Sequence, residues 1–403
     1  GTVSVNAGNG GDNTSDEGGG GGGGRIAIYS TTDNSSITLE AYGGSGPTTR
    51  AQEGAAGTIY TKTGGDTYGN LVIDNNSQTL SVNNGATTQI EDTQLYDSLA
   101  VSNSGYVRMA TNSIAIPVVT IDSNGGLEVP DGVTYATSTT FNWSDGATIV
   151  EIGTLVTDIN FRVPVTTTYY PIRNRSFGNL IVDGTIDGFQ NGTAHTYTID
   201  LTMTGDLTIN STGLIDADWL GYAGGYGPGV GATSGNGGGG GGHGGEGGQG
   251  YAGGAGGSAN GSTTAPTTIG SGGGIGGNGS ASYYGGGAIK LTTTGTTTID
   301  GAITADGRDM AASETTGGSA GGSIYIITDV LEGTGTTTAN GGKGGDNTSD
   351  EGGGGGGGRI AVYYTTDNSS ISYQAYGGPS TEVDVEYGGA GTIYTKAASA
   401  AYG

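Results

Sequence analysis

Apolar residues in this chain come in short runs that alternate with polar ones. In RIAIYST (25–31) and SSITLEAYGG (35–44), Ile26, Ile28, Ile37 and Leu39 take one phase, and Ala27, Tyr29 and Thr38 the other. A period of two is that of a strand with one buried face. Similar runs follow at NLVID (70–74), SLAVSN (98–103), VVTID (118–122), NLIVD (179–183) and TYTIDLTM (196–203). Gly, Asn and Asp bound them, as they do where strands give way to turns. No segment places apolar residues at i, i+3, i+4 and i+7, so essentially no α-helix is expected.

From about residue 285 the runs fall into register. GGGAIKLTTT (285–294), GGSIYIITD (321–329), GGRIAVYYT (357–365) and GGAGTIYTK (388–396) set Ala288, Ser323, Arg359 and Thr392 as block starts, 35, 36 and 33 residues apart. Each block reads as strand, short turn, strand and glycine-rich excursion. One block alone cannot bury its apolar face, whereas stacked blocks bury a continuous one. The expected fold is all-β: a right-handed parallel β-helix or solenoid with glycine-rich, polyglycine-II-like excursions.

A longer repeat overlies the short one. GGDNTSDEGGGGGGGRIA occupies 10–27 and returns letter for letter at 344–361. The offset of 334 residues holds without a gap between 1–69 and 335–403, with 44 identities in 69 positions. Two successive copies of one large unit are implied. Composition divides the chain into 1–62, the glycine-rich end of one unit; 63–220, poorer in glycine; 221–287, with 33 glycines in 67 positions; and 288–403, glycine-rich solenoid turns. For 63–220 the alternative to solenoid turns is an inserted β-sandwich.

Within 221–287, GGH GGE GGQ GYA GGA GGS runs from Gly241 as six triplets led by Gly. Glycine at a fixed phase of three is what close-packed, threefold extended chains require. A flexible coil is the other reading of such composition. Ordering each glycine costs about 1–2 kcal/mol of backbone entropy, which only dense mutual hydrogen bonding offsets.

The string GGGAIKL, GGSIYII, GGRIAVY and GTIYTK, with PTTIGSGGG (266–274) ahead of it, resembles glycine-rich repeats of giant bacterial surface and secreted proteins. The resemblance covers about 200–403 and 1–62. It implies parallel β-helices, an extracellular structural or adhesive role, and no catalytic residues.

Charge and chemistry narrow the choice. The net charge of −25, from 37 acidic and 12 basic side chains, opposes binding to nucleic acid or anionic membranes. No run is long and apolar enough to insert into a membrane. Cysteine is absent, which excludes disulfides and Cys–zinc sites. Asp12, Asp16 and Glu17, repeated as Asp346, Asp350 and Glu351, are candidate Ca²⁺ ligands, being hard oxygens on a glycine-flanked loop. Their spacing departs from the usual calcium loop, and a solvated acidic turn is the competing reading. No other cofactor is required. Of the two histidines, His195 is placed at a turn and His243 is expected to be exposed in its triplet. Asp216 and Asp218 are close enough to serve a glycosidase, although Asp also commonly ends such a strand. Tyrosines such as Tyr29 and Tyr60 suit stacked ladders along a solenoid, or platforms for glycans.

These features point to a structural segment of an extracellular, cell-surface filament that self-associates and performs no catalysis. A glycan-binding adhesin is the alternative, and a polysaccharide-degrading β-helix enzyme a remote one.

Overall fold

A computed structural model describes residues 1–11, 18–46, 52–78, 86–90, 95–109, 116–130, 133–144, 146–151, 154–156, 160–172, 174–277, 279–311, 313–347, 350–380, 385–400 and 403. The described chain is nearly all β, and its one helical element is the 3-10 turn Tyr251–Gly253. It divides into two compact units, 1–158 with 164–170, and 159–163 with 171–403. The composition boundaries at 62/63, 220/221 and 287/288 do not coincide with this division. Glycine content changes there, but strand pairing does not follow it: 221–287 is an excursion from a single turn.

In the second unit each turn gives one strand to each of three parallel sheets. The first sheet stacks Arg175–Phe177, Ile199–Met203, Ala288–Thr293, Ser323–Ile327, Arg359–Tyr364 and Thr392–Ala397 in that order. Ala288 pairs with Ser323, Ser323 with Arg359, and Arg359 with Thr392, so the spacings of 35, 36 and 33 in the sequence are the register itself. The second sheet runs from Asn160–Val163 through Asn179–Val182, Leu207–Ile209, Thr296–Ile299 and Val330–Glu332 to Thr366–Asp367. The third runs through Thr185–Asp187, Leu214–Asp216, Ala302–Thr304, Thr336–Thr338 and Ser372–Gln374. The turn between Ile199 and Ile289, partners 90 residues apart, holds the whole glycine-rich insertion.

Parallel registration lines like residues up. Leu201, Leu291, Ile326 and Val362 form one ladder across the first sheet, and Ile199, Ile289, Ile324 and Ile360 a second. All eight are buried. Their period-two alternation with Thr, Lys and Tyr puts one face inside.

The first unit is built from plainer turns. Leu99 pairs with Val119, Val107 with Leu127, and Leu127 with Ile149, turns of 20 to 22 residues. The pairing is parallel, opposite to the antiparallel sheets of a sandwich. Asn76–Ser77, Asn103–Ser104 and Ser123–Asn124 all have positive φ and recur at one place in successive turns. Asn tolerates the left-handed region better than most residues, which accounts for the NNS, SNSG and DSNG signals there.

One reversal departs from the continuous parallel stacking expected. Thr58–Lys62 pairs antiparallel with Asn70–Asp74. The intervening turn is closed by Asp66, whose Oδ2 accepts from Thr63 N at 2.7 Å and from Thr63 Oγ1 at 3.0 Å. Gly69 sits at φ +102, and a Cβ there would lie 2.6 Å from the Tyr60 hydroxyl. Ile37, placed by its alternation on the buried face, is 47% exposed.

The two sequence copies keep the same strand register. Arg25–Tyr29 pairs Thr58–Lys62 in the register of Arg359 with Thr392. Thr2 opposes Thr38 as Thr336 opposes Ser372.

Ile326→Ala should lower unfolding free energy by about 2–5 kcal/mol, because it leaves a cavity inside a fully buried ladder. Denaturant unfolding monitored by circular dichroism measures this, and a loss under 1 kcal/mol would contradict the packing.

Candidate functional site

The most specialised part of the molecule is its glycine backbone. Residues 352–358 are all buried, though they own no side chain with which to pack. Every N–H in this stretch donates a hydrogen bond. Gly352, Gly355 and Gly358 donate to the carbonyls of Gly345, Gly342 and Ala339; Gly353 and Gly356 to Gly238 and Gly241; Gly354 and Gly357 to Glu386 and Gly389. Its carbonyls accept in the same rhythm. Gly318 and Gly321 donate to Gly353 and Gly356, and Gly248 and Gly245 to Gly354 and Gly357. Successive residues thus address different neighbours, and each neighbour is met again three residues later. That is the spacing of a chain with three residues per turn and no internal hydrogen bonds.

Glycine is the condition for this approach. A Cβ on Gly355 would lie 2.1 Å from the Ser319 carbonyl oxygen, and one on Gly356 2.2 Å from that of Gly245. The insertion packs in the same way: Gly242 donates to Gly229 and Gly239 to Ala232, three residues apart. The triplets from Gly241 therefore lie in ordered, hydrogen-bonded chain, and the coil reading of this segment is set aside.

A polar knot fastens the rods to the first sheet. The Arg359 guanidinium is buried and donates to Asn260 O at 2.8 Å, to Thr263 Oγ1 at 3.0 Å, to Thr392 Oγ1 at 3.1 Å and to His243 O at 3.4 Å. His243 has no exposed surface, contrary to the exposure expected of it. Its Nδ1 lies 3.1 Å from Asn260 Oδ1 and its Nε2 2.9 Å from Ser323 Oγ. Burial pushes its pKa down to about 4, so the ring is neutral at pH 7. Ser, His and Asn in this order have the contacts of a nucleophile, a base and its orienter. Here Ser323 is also wholly buried, with its Oγ 2.6 Å from Thr268 O. The arrangement is closed to a substrate and joins three segments instead. His195 is exposed, with Nε2 2.9 Å from Thr198 Oγ1.

The paired carboxylates belong to a ladder. Asp218 Oδ1 accepts from Asp306 N at 2.6 Å, Asp306 Oδ1 from Asn340 N at 2.5 Å, and Asn340 Oδ1 from Tyr376 N at 2.8 Å. Each side chain thus caps a backbone amide one turn on. Asp216 Oδ1 accepts from Asp218 N at 2.8 Å. Burial raises the pKa of all three carboxylates, that of Asp218 to about 7, with the neighbouring carboxylates adding to it.

Asp12, Asp16 and Glu17 lie outside the described residues. Asp346 lies 3.4 Å from Lys343 Nζ, and the Glu351 side chain is mostly buried. Among the described residues no group of three or more acidic or histidine side chains could hold a metal ion. Tyrosines line up in two ladders, with neighbouring rings tilted or edge-on and not stacked. Tyr29, Tyr60 and Tyr96 have ring centroids 5.6 and 6.2 Å apart; Tyr325, Tyr363 and Tyr394 have 5.8 and 5.7 Å. Sequence reasoning missed the Arg359–His243–Asn260–Ser323 knot. Its one signal was a lone histidine amid glycine triplets, where a polar ring with no room to reach solvent must find partners nearby.

Compared with known proteins, the chain matches no family model, no curated protein and no solved structure.

Gly355→Ala should cost about 1–3 kcal/mol through overpacking, read by thermal unfolding. The Asp218 carboxyl makes stability pH-dependent. Its folded pKa of about 7 lies above the ordinary value of 3.8. The favourable contribution is therefore complete below pH 4 and is lost as pH rises through 7. Asp218→Asn keeps the acceptor oxygen and removes the charge. It should raise stability at pH 8 by about 1–3 kcal/mol and leave it nearly unchanged at pH 4. Equal effects at both pH values would refute the assignment.

Proposed function

We propose that this chain is a load-carrying segment of a tandem-repeat filament of the bacterial surface type, outside the cell and without catalytic activity. Its fold is read as a right-handed parallel β-helix whose excursions form polyglycine-II rods. The observation that carries this reading is the 334-residue repeat, whose two copies keep one strand register. A unit that reproduces its own pairing can be added end to end without a new interface.

Three observations support a mechanical role over catalysis or glycan binding. The Ser–His–Asn contacts are sealed. Asp218 and Asp306 hold backbone amides between turns. Six tyrosines are engaged with one another in ladders. The partner is therefore the chain's own repeat. Ca²⁺ is retained only as the ion that the acidic loop of the first copy would take, since among the described residues Asp346, Asp350 and Glu351 do not gather into a metal site.

Chains of one, two and three units should be compared by electron microscopy. The reading expects contour length to grow by the same increment with each added 334 residues. Particles that thicken into globules, growing as the cube root of mass, would refute it.

A further inference from the structure

The two copies differ in what covers them, and the difference has a shape. Gly18–Gly24 corresponds to Gly352–Gly358 at the 334-residue offset. In the first copy Gly18, Gly21 and Gly24 still donate to Gly11, Gly8 and Val5, and Gly20 and Gly23 to Gln52 and Ala55. These are the counterparts of bonds in the second copy. The N–H groups of Gly19 and Gly22 have no backbone acceptor among the described residues, whereas those of Gly353 and Gly356 reach Gly238 and Gly241. The stretch 18–24 is exposed or half-buried, and 352–358 is buried throughout.

The steric record agrees. A Cβ on Gly8 or Gly11 would meet nothing within 4 Å, and one on Gly22 only the Ala55 carbonyl at 4.0 Å. Their counterparts Gly342, Gly345 and Gly356 would strike the carbonyl oxygens of Arg308 at 2.1 Å, Glu314 at 2.3 Å and Gly245 at 2.2 Å. Nothing described in the first unit explains why these positions are glycine.

Strands and side chains show the same gap. Arg25–Tyr29 is the last strand of its sheet, while Arg359–Tyr364 is paired on its far side by Ser323–Ile327. Thr2–Ser4 likewise ends its sheet, while Thr336–Thr338 is paired by Ala302–Thr304. Arg25 is exposed, whereas Arg359 is buried against Asn260, Thr263 and His243. Tyr29 is 70% exposed and starts its ladder, whereas Tyr363 has Tyr325 ahead of it.

We infer that the face formed by Thr2–Ser4, Gly8–Gly11, Gly18–Gly24 and Arg25–Tyr29 is a docking surface for a second copy of the 334-residue unit. The occupant presents the segments equivalent to 236–261 and 301–327. The second copy on this same chain displays the completed junction, so every contact has a template. Strands equivalent to Ala302–Thr304 and Ser323–Ile327 extend the two open sheets by parallel pairing. Rods equivalent to 238–248 and 314–321 take up the open N–H and C=O groups of Gly19–Gly23. A loop equivalent to Asn260–Thr263 receives the Arg25 guanidinium. An intact second chain has this surface already filled by its own 335–403, so the occupant is a unit joined ahead of Gly1. The inference rests on the tandem-filament reading and specifies its joint.

The test uses the 403-residue chain and a longer one in which residues 1–334 are placed directly ahead of Gly1. Gly22→Ala should leave the melting temperature of the 403-residue chain within roughly 1 °C. The same change at the internal joint should lower it by several degrees, as should Gly356→Ala in the shorter chain. A Gly22→Ala change tolerated in both chains, or harmful to the same extent in both, overturns the inference. Amide exchange on the unsubstituted chains is the second readout, with isotope label confined to the copy being read. Gly19 and Gly22 should exchange roughly a hundredfold more slowly in the longer chain; unchanged rates overturn the inference. Small-angle scattering separates the two failures. An elongated longer chain with unprotected Gly19 and Gly22 sinks the joint alone. A compact one sinks the filament reading whatever the glycines do.

Discussion

The structure depends on backbones touching backbones. In an ordinary core, side chains interdigitate and keep main chains about 10 Å apart between layers. Around Gly352–Gly358 that spacing collapses, because carbonyl oxygens occupy the volume where Cβ atoms would be. The stabilisation then comes from hydrogen bonds in several directions around one rod. Each is modest in net terms, about 0.5–1.5 kcal/mol, but every N–H of Gly352–Gly358 makes one. Removing one partner would strand buried amides, whose desolvation costs more than the bond contributed.

The strands and the rods solve the same problem in different ways. In the three sheets of the second unit, ladders such as Leu201, Leu291, Ile326 and Val362 bury apolar surface and fix the register. Register then carries outward into the excursions, since each rod begins where a strand ends. Arg359 opens a strand and also pins the Asn260 and His243 segments. Polar ladders such as Asp218, Asp306 and Asn340 keep successive turns aligned where apolar contacts stop.

Much of this was legible beforehand. Period-two runs gave the strands, and the 35, 36 and 33 spacings became parallel pairings without a shift. Glycine triplets gave the threefold rhythm. Other features had no sequence signal strong enough to read. Glycine carries no label, so nothing in GGGGGGG says that Gly353 bonds Gly238 and not a nearer rod. The antiparallel reversal at Thr58–Asp74 turns on Asp66 and Gly69, residues common in any loop. His243 was placed outside because triplet composition reads as polar surface, when the neighbouring rods in fact enclose it.

The excursion 221–287 also constrains the order in which the molecule can form. Gly238 and Gly241 accept from Gly353 and Gly356, and Gln249 accepts from Glu386. These partners lie well over a hundred residues later in the chain. When the excursion emerges during synthesis, its partners at 308–389 do not yet exist, whereas bonds such as Gly242 to Gly229 and Gly257 to Gly240 lie within it. The strands before and after it, Ile199–Met203 and Ala288–Thr293, must pair first across the 90-residue gap. Loop-closure entropy rises only logarithmically with length, so that closure is tolerable, but contacts at such separation are slow to form. The bonds that join it to the later turns therefore close only when the turns at 314–389 arrive beside it. Assembly in such a chain proceeds as a front that trails the growing end by more than three turns.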